Sequence, residues 1–343
     1  KSITIITTII LIIFFVLEIV ARKKFNSFSS GSCAHEKLPD ERLFYIPEKN
    51  CKFSFKHWES DKKIIYETDE KSNRVSSLPT NFENEMTTIA FFGDSFTWGE
   101  MNNVNQSYVH HTVVNLNDAK SNNAGYDNFG VVGYDFLQVL ERIKRSDLNN
   151  YDHIVYGLTP NDLFSPPIKN QNKKGNKNLN DIKKNFLERS IKKIKLHNLR
   201  SIKVASKFLF DKFPNIYISL YTKRDLNLAG YLYSDSSEYW NERYLELFEN
   251  LRSLDQNIKD QLIIQVIAQR VQVLLYKKGE LNNALAFENR VKEICNKLRI
   301  KFNGSQLHKL ANLENSHFTI DGHFTPLANS TVGKTLAEFI SNL

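Results

Sequence analysis

The segment Gly93-Asp94-Ser95 places a serine directly after the short apolar run Thr88–Phe92. A serine hydroxyl becomes a good nucleophile when a neighbouring base takes its proton. Gly93 permits a tight turn before the serine, and the free N–H groups at the start of a following helix favour negative charge. Because Gly-Asp-Ser is also a common turn and helix-capping sequence, the segment predicts a nucleophile only together with other motifs.

A base for this serine is predicted at His323, in the segment DGHFTP at 321–326. The pKa of an imidazole suits proton transfer near neutral pH, and a nearby carboxylate such as Asp321 would stabilise the imidazolium that forms. The tripeptide His-Phe-Thr also occurs at 317–319, so His317 is an alternative base. The plain alternative for the whole segment is a polar turn that caps the last helix.

Two further loops carry groups that can donate hydrogen bonds to a negatively charged oxygen. The first, Asn128–Asp135, contains glycines, whose missing Cβ lets a backbone N–H approach a ligand oxygen closely. The second contains Asn161, directly after the apolar run His153–Leu158, and its carboxamide can also donate. Each loop by itself is equally typical of an ordinary turn.

Apolar runs alternate with helical stretches from Thr87 onward, which predicts βα units and a parallel sheet. The carboxyl ends of parallel strands lie at one edge of a sheet, where α/β proteins bind ligands, so the serine, glycine and asparagine loops are expected there. The predicted strands are Thr88–Phe92, Asp127–Val131, His153–Leu158, Leu262–Ala268 and Arg299–Phe302, and the predicted helices are Ser107–Leu116, Asp135–Arg145, Glu280–Leu298 and Leu327–Ser341.

The order of these four motifs resembles the SGNH (GDSL-type) hydrolase family: GDSxTxG, then N-x-x-x-x-G, then Asn-Asp after the third strand, then an Asp/His motif before the final helix. The resemblance covers residues 89–343, with 165–259 unmatched. It implies a three-layer α/β/α sandwich with a parallel, flavodoxin-like sheet. It also implies that Ser95 is the nucleophile and His323 the base, and that the Ser95 N–H, the Gly133 N–H and the Asn161 amide form an oxyanion hole.

The last motif departs from the usual D-x-x-H pattern of this family. Ile320 lies three residues before His323, whereas Asp321 lies only two residues before it. Asp321 is still a candidate catalytic residue that orients the imidazole, as D-x-H does in some relatives; a backbone carbonyl is the alternative. Asp94 and Asp162 are expected to tie loop backbone together.

Three parts are predicted along the chain. Residues 1–24 are expected to form a transmembrane anchor, because Ile3–Ala21 is apolar over the ~20 residues that a membrane-spanning helix needs. A cleavable signal sequence is the alternative, but the run ends in Ala21-Arg22-Lys23-Lys24 without a clear A-x-A cleavage pattern. Residues 25–86 form a juxtamembrane linker and N-terminal extension, with a strand-like piece at Lys63–Glu67. Residues 87–343 form the SGNH hydrolase-like domain. Its stretch 165–259, helical in character at Ser236–Leu254, is either a lid beside the site or a set of helices covering one sheet face.

This plan resembles bacterial membrane-anchored members of the family, which implies a single-pass membrane protein whose catalytic domain is periplasmic or extracellular. Arg22, Lys23 and Lys24 follow the span and point the opposite way under the positive-inside rule, so charge leaves the orientation open. Membrane lipid is an expected partner of the span. A membrane protein packed against Glu18 is another, because a carboxylate is costly in lipid.

Cysteine usage and charge limit the remaining function classes. Cys33 and Cys51 would suit a disulfide in an oxidising compartment, with Cys295 as a buried thiol, although sequence alone leaves the pairing open. No CxxC or HExxH spacing occurs, so no metal or other cofactor is expected. The net charge of +8 is concentrated in 183–203, typical of a solvated helix face or of one facing anionic lipid or an acidic polymer. Nucleic-acid binding is not expected, because no matching motif accompanies the charge.

The family resemblance implies a serine esterase or an O-acyltransferase that uses a Ser-His(-Asp) acyl-enzyme mechanism. The expected substrate is an acylated cell-surface glycan or a similar ester, since anchored members of the family are often tied to acylation or deacylation of surface glycans. Hydrolysis and transfer use the same residues, so the sequence does not separate them. The alternative is a catalytically inactive SGNH-like accessory or scaffold subunit of a membrane protein complex, suggested by the anchor, the long insertion and the departure from D-x-x-H.

Overall fold

The computed structural model describes residues 42–57, 59–60, 62–75, 87–120, 124–163, 238–319 and 321–343, with isolated positions at 16, 18, 19, 33, 36 and 37 and between 212 and 223. The chain divides into two compact units, one comprising 1–30, 55–62 and 166–220 and the other comprising 31–54, 63–165 and 221–343. Every residue of the candidate site lies in the second unit.

A five-stranded parallel sheet forms the centre of the second unit. Its strands are β5 (Thr87–Gly93), β6 (Ala124–Asn128), β7 (His153–Leu158), β8 (Leu262–Val266) and β9 (Lys301–Asn303). They lie in the order β6-β5-β7-β8-β9, and every neighbouring pair is parallel. The side chains of Ile89, Phe91 and Ile264 are fully buried, and burying each aliphatic or aromatic side chain contributes about 1.5–3 kcal/mol. Because both faces of the sheet are covered, the inner strands β5, β7 and β8 are largely apolar along their length, whereas the edge strands β6 and β9 also carry polar residues.

Helices cover the two faces of this sheet. They are α1 (Ser95–Trp98), α2 (Tyr108–Lys120), α3 (Phe136–Arg145), α4 (Glu238–Arg252), α5 (Gln256–Gln261), α6 (Arg270–Lys277), α7 (Leu281–Leu298), α8 (Leu307–Ala311) and α9 (Pro326–Ser341). Right-handed crossovers put α2 on one face and α3 on the other. The packing agrees, since α2 packs on α9, while α4 packs on both α3 and α7. The predicted α/β fold with a parallel sheet is therefore confirmed.

Helix α9 begins where the sequence predicts a strong start. Thr325 caps its first turn by accepting a hydrogen bond from the Ala328 N–H, and Pro326 occupies the first helical position, where a missing N–H costs nothing. Gly333 brings the helix close to α2, because a Cβ there would lie 2.5 Å from the Cβ of His111. The start of α9 is thus fixed, and with it the loop that carries His323.

Several element boundaries differ from the prediction. Strand β6 begins at Ala124, three residues before the predicted start, because the weak strand formers Ala124 and Gly125 pair with β5. Strand β9 begins at Lys301 rather than Arg299, because Arg299 ends α7 in a left-handed conformation. Helix α6 was not predicted. It is only eight residues long and closely follows the apolar strand β8. Over so few positions, the pattern of apolar residues does not distinguish a separate helix.

The N-terminal extension forms two small sheets, one of β1 (Glu36–Lys37) with β2 (Tyr45–Ile46) and one of β3 (Lys52–Lys56) with β4 (Lys63–Glu67). Strand β4 matches the prediction. Cys33 and Cys51 form a disulfide, and Cys295 is a buried free thiol, so the structure contains the pairing that the sequence left open.

Two sequence predictions fall largely outside the described residues. The predicted anchor, 1–24, is described at only three positions, and no helix within the described ranges is long and apolar enough to cross a membrane. Of the stretch 165–259, the continuous described part is 238–259. There α4 buries Leu247 and Leu251 in the core, so this part covers a sheet face, as the second interpretation proposed.

Candidate active site

Ser95 directly follows the inner strand β5, at its carboxyl end, and is the first residue of the short helix α1. Asp94 caps this helix, because its Oδ1 accepts a 2.9 Å hydrogen bond from the Phe96 N–H. Gly93 has a φ of 154°, and a Cβ there would lie 2.1 Å from Thr97 Oγ1. Only glycine therefore fits the turn that brings the serine to the end of the strand.

The side chain of Ser95 contacts His323, and His323 contacts Asp321. The distance from Ser95 Oγ to His323 Nε2 is 2.7 Å, and that from His323 Nδ1 to Asp321 Oδ1 is 2.5 Å. The same carboxylate oxygen accepts a 3.2 Å hydrogen bond from the His323 N–H. Gly322, between them, has a φ of 89°, which lets the chain turn tightly enough for the carboxylate to reach the ring. The short D-x-H spacing is thus compatible with a carboxylate-histidine contact.

His317, the alternative base, lies in a different environment. Its Nδ1 is 2.9 Å from Ser316 Oγ and its Nε2 is 3.1 Å from the carbonyl oxygen of Ala268. Burial lowers the pKa of this imidazole to about 3, so the ring is neutral at physiological pH. Both ring nitrogens are engaged with groups other than Ser95, which leaves His323 as the histidine of the site.

The Asn161 carboxamide is held by three neighbours. Its Nδ2 donates a 3.0 Å hydrogen bond to Asp94 Oδ2, and its Oδ1 lies 2.7 Å from Thr159 Oγ1. The Gln269 side-chain amide also donates to Asn161 Oδ1. These contacts fix which end of the carboxamide is nitrogen and leave one of its two N–H hydrogens for a ligand. No sequence motif indicates this role for Gln269, which caps the start of α6.

The loop after β6, which contains Gly130 and Gly133, is packed tightly against α1. Asn128 fixes the loop, donating to the Thr97 carbonyl at 2.8 Å and accepting from the Gly130 N–H at 2.9 Å. A Cβ at Gly130 would lie 2.5 Å from Trp98 N. Gly133 has a φ of 81°. Within the described ranges, neither the Gly133 N–H nor the Ser95 N–H donates a hydrogen bond to another residue.

Two buried aspartates lie beneath these loops. Thr159 Oγ1 lies 3.1 Å from Asp94 Oδ2 and 2.9 Å from Asp162 Oδ1. Asp162 Oδ2 also accepts hydrogen bonds from the Thr159 N–H at 3.0 Å and from the Tyr156 hydroxyl at 3.2 Å. Burial raises the pKa of both carboxyls, and the negative charge of Asp94 raises the pKa of Asp162 further. Their contacts tie the loops after β5 and β7 together, as expected.

Glu100 is a site residue that the sequence analysis missed. Its Oε2 lies 3.4 Å from His323 Nε2, the same nitrogen that contacts Ser95. The only signal in the sequence is its place directly after GDSFTWG, where a carboxylate is easily taken for a surface residue. Burial raises the pKa of Glu100, while the positive charge of His323 opposes that rise. Although burial lowers the pKa of His323, the carboxylates of Asp321 and Glu100 raise it above its ordinary value.

The arrangement combines the parts that acyl transfer needs. A serine hydroxyl contacts an imidazole, the other imidazole nitrogen contacts a carboxylate, and the N–H groups of Ser95 and Gly133 donate to no other described residue. No group of three or more His, Cys, Asp or Glu side chains is arranged to hold a metal ion within the part of the chain that the structure describes.

Comparisons with known proteins identify the family. The model of the GDSL-like lipase/acylhydrolase family matches residues 89–336. No curated protein matches the chain. Similar solved structures include a lipase/acylhydrolase from Enterococcus faecalis, which is 12% identical and has a TM-score of 0.41 over 75% of this chain and 96% of that chain. A catalytic mutant of an acetylxylan esterase from Geobacillus stearothermophilus is 12% identical, with a TM-score of 0.41 over 75% of this chain and 94% of that chain. A carbohydrate acetylesterase from Sinorhizobium meliloti is 9% identical, with a TM-score of 0.35 over 74% of this chain and 98% of that chain.

The family model matches the part of the chain that carries all four sequence motifs, since Ser95 and His323 both lie within residues 89–336. The predicted resemblance to SGNH (GDSL-type) hydrolases is therefore confirmed at the level of the family, and the chain belongs to the GDSL-like lipase/acylhydrolase family.

Proposed function

We propose that the protein is a serine ester hydrolase or O-acyltransferase in which Ser95 forms an acyl-enzyme. The observation that carries this proposal is the continuous series of contacts from Ser95 Oγ through His323 to Asp321, at 2.7 and 2.5 Å. A serine within hydrogen-bond reach of a base, with the base oriented by a third group, is the arrangement that activates a hydroxyl nucleophile.

In the proposed first step, His323 Nε2 takes the proton of the Ser95 hydroxyl as Oγ attacks the carbonyl carbon of the ester. The electron pair of the carbonyl moves onto its oxygen. When the tetrahedral intermediate collapses, the bond to the leaving alcohol breaks and the alcohol takes the proton from His323 Nε2. Asp321 stabilises the imidazolium between these two events and keeps the remaining proton on Nδ1. Water or a sugar hydroxyl then repeats the sequence on the acyl group of Ser95.

The proposed oxyanion hole consists of the Ser95 N–H, the Gly133 N–H and the free hydrogen of the Asn161 amide. Removing one such donor typically costs about 10²–10³-fold in kcat, because preorganised dipoles stabilise charge that develops only in the transition state. The fixed carboxamide of Asn161 supports its inclusion, since Asp94 and Gln269 hold it without using its last hydrogen.

The proposed substrate is the O-acyl ester of a cell-surface glycan, at the outer face of a membrane to which residues 1–24 anchor the protein. The apolar run at 3–21 and the Cys33–Cys51 disulfide support this location, because disulfides persist in oxidising compartments. The scaffold alternative loses one of its supports, since Asp321 reaches His323 despite the departure from D-x-x-H. Membrane fractionation of the full chain, with protease added outside the membrane, tests the location. Recovery in the soluble fraction would contradict it.

Product analysis tests the reaction. The full chain and Ser95→Ala are incubated with an acetylated glycan, with and without an unacetylated glycan acceptor, and free acetate and acetylated acceptor are measured. Acetate release in water alone identifies hydrolysis, and turnover that requires the acceptor identifies transfer; both must disappear in Ser95→Ala. No turnover of this or a chromogenic acetyl ester by folded protein under either condition would overturn the proposed function.

A further inference from the structure

The two nitrogens of His323 each face a carboxylate. Asp321 Oδ1 lies 2.5 Å from Nδ1, on the side of the ring away from the nucleophile. Glu100 Oε2 lies 3.4 Å from Nε2, on the side that also faces Ser95 Oγ. The side chains of His323 and Glu100 are only 16% and 15% exposed, so solvent weakens their interaction little. The orienting role of Asp321 explains the contact at Nδ1. It does not explain the contact of Glu100 at Nε2.

Glu100 is held in this position by the loop that ends the nucleophile helix. Its N–H donates a 2.9 Å hydrogen bond to the Ser95 carbonyl, and the next residue, Met101, has a φ of 62°. The Met101 N–H donates to the Tyr66 hydroxyl at 2.8 Å. Asn102 Nδ2 donates to the Glu100 carbonyl at 3.0 Å and to the Phe324 carbonyl at 2.9 Å, which joins this loop to the one that carries His323.

Arg74, from the N-terminal extension, completes the support. Its guanidinium is buried and donates to the backbone carbonyls of Trp98, Gly99 and Asn102, on both sides of Glu100. It also lies over the ring of Tyr66, 4.9 Å from the centroid. The guanidinium therefore donates its hydrogen bonds to backbone carbonyl oxygens rather than to the Glu100 carboxylate. The carboxylate is therefore left to interact with His323.

The charges around Glu100 set the direction of its effect. Among the described residues, His323 and Arg74 favour its ionised form, whereas Asp321 and Asp94 disfavour it, and the Tyr66 hydroxyl lies close by. An ionised Glu100 stabilises the imidazolium form of His323 by its negative charge at Nε2. A protonated Glu100 does not, so His323 is then neutral more easily and its Nε2 can accept the Ser95 proton.

We propose that Glu100 is a second carboxylate partner of His323, which acts on the reacting Nε2 and sets the pH above which Ser95 is activated. This proposal rests on the proposed function, because it assigns Glu100 to the same proton transfer. Only neutral His323 accepts the Ser95 proton, so activity rises with pH as the imidazolium loses its proton. Removing the Glu100 charge must move this rise to lower pH. A carboxylate within about 4–6 Å typically shifts a pKa by about 1–3 units, which gives the size of the expected shift.

The experiment is an NMR titration of the full chain labelled at its histidines, in wild type, Glu100→Gln and Glu338→Gln. The chain has nine histidines, and the His323 signal is assigned from its loss in His323→Gln. Glu338→Gln is a matched control, because it makes the same chemical change on α9, where Glu338 is 53% exposed and lies near Lys309. We expect the midpoint of His323 to fall by about 1–3 pH units in Glu100→Gln and to stay unchanged in Glu338→Gln.

The rate of Ser95 labelling by a fluorophosphonate is measured over the same pH range. Its rise should move to lower pH in Glu100→Gln together with the His323 midpoint. A His323 midpoint in Glu100→Gln equal to that of wild type would overturn the proposal for Glu100. If wild-type Ser95 is not labelled at any pH, the proposed function fails, while the titration still tests the Glu100–His323 interaction. If Glu100→Gln does not fold, Glu100→Asp, whose carboxylate is one methylene further from the ring, must give a smaller shift in the same direction.

Discussion

The tripeptide His-Phe-Thr occurs twice in one loop, at 317–319 and 323–325, and its two histidines lie in opposite environments. His317 contacts a serine hydroxyl and a backbone carbonyl, both neutral groups, and is buried at 5% exposure. His323 contacts two carboxylates and the Ser95 hydroxyl. The segments pair with each other through a bridge between His317 and Phe324. Identical neighbours in sequence thus produce a neutral structural imidazole in one case and a candidate base in the other.

The surroundings explain this difference through charge. Burial without a carboxylate partner lowers the pKa of His317 to about 3, because the charged form loses its hydration and the hydrogen bond to the Ala268 carbonyl offsets only part of that loss. Burial acts on His323 in the same direction, but the carboxylates of Asp321 and Glu100 outweigh it and raise the pKa. The comparison indicates that the partners of an imidazole, rather than its local sequence, decide whether it can exchange a proton with Ser95.

The largest effect is expected from replacing the candidate base. His323→Gln should lower kcat/KM by at least about 10⁴-fold, because loss of the base from a serine triad removes nearly all activation of the nucleophile. His317→Gln should change kcat/KM by less than about tenfold while lowering thermal stability. Initial rates with a chromogenic ester and thermal melting of both variants check this. Equal losses of activity in the two folded variants would contradict the different roles assigned to His317 and His323.

The next effect concerns the carboxylate that His317 lacks. Asp321→Asn should lower kcat by about 10³–10⁴-fold, because an amide at this place no longer favours the proton on Nδ1 or stabilises the imidazolium. It should also move the acid limb of the pH profile to lower pH, since the pKa of His323 falls when a negative charge is removed. Asp118→Asn, at an exposed position of α2, is the control and should leave both quantities unchanged. Wild-type kinetics in Asp321→Asn would return the orienting role to a backbone carbonyl.

Stability should depend on pH through His317 in a predictable direction. Its pKa is about 3 in the folded protein and about 6.5 when unfolded, so between these values the unfolded state binds a proton that the folded state does not. The contribution of His317 to the free energy of unfolding is present above pH 6.5. It falls as pH is lowered toward 3, by up to about 1.4 kcal/mol per pH unit.

Urea denaturation of wild type and His317→Gln between pH 7 and pH 4 measures this contribution. The free energy of unfolding of wild type, minus that of His317→Gln, should fall steadily as pH is lowered from 7 to 4. For His323, whose pKa is raised, the sign is opposite: its contribution is complete below pH 6.5 and is lost as pH rises through the folded pKa. A difference between wild type and His317→Gln that stays constant over this range would contradict the assigned environment of His317.

The smallest effect is expected at Phe324, which directly follows His323 in the sequence and packs against the ring of His317. Its ring lies 4.8 Å from that of His317 and 5.1 Å from that of Phe96, between centroids. Phe324→Leu should lower the free energy of unfolding by about 1 kcal/mol, because aromatic contacts are lost while most apolar volume is kept. The change in kcat/KM should stay within a few-fold. Denaturant unfolding and initial rates measure both, and a loss of activity as large as that of Asp321→Asn would show that packing rather than charge distinguishes the two histidines.

The sequence could predict the parts of the fold and site that depend on local pattern. Strand β7 matches its predicted range, because His153–Leu158 is a continuous apolar run. Ser95 and Asn161 could be placed near each other because each follows a strand of one parallel sheet. His323 could be placed in the loop before α9 because Thr325 and Pro326 mark the start of that helix.

The rest of the site depends on contacts between distant parts of the chain. Glu100 looks like a surface carboxylate until Arg74 and Tyr66, more than 25 residues earlier, fix the loop around it. Gln269 has no sequence signal, because its contact with Asn161 joins two loops 108 residues apart. Similarly, the motif resemblance favours His323 and keeps His317 as an alternative, and only the folded loop shows that Asp321 contacts one ring and the Ala268 carbonyl the other.

Covalent labelling of the nucleophile tests most directly whether Ser95 and His323 form the catalytic pair. The full chain is reacted with a fluorophosphonate, digested and sequenced by mass spectrometry, with His317→Gln and His323→Gln treated in parallel. We expect a single modified residue, Ser95, with labelling retained in His317→Gln and nearly abolished in His323→Gln. Modification of another residue, absence of labelling in folded wild type, or equal labelling of the two histidine variants would contradict this pairing.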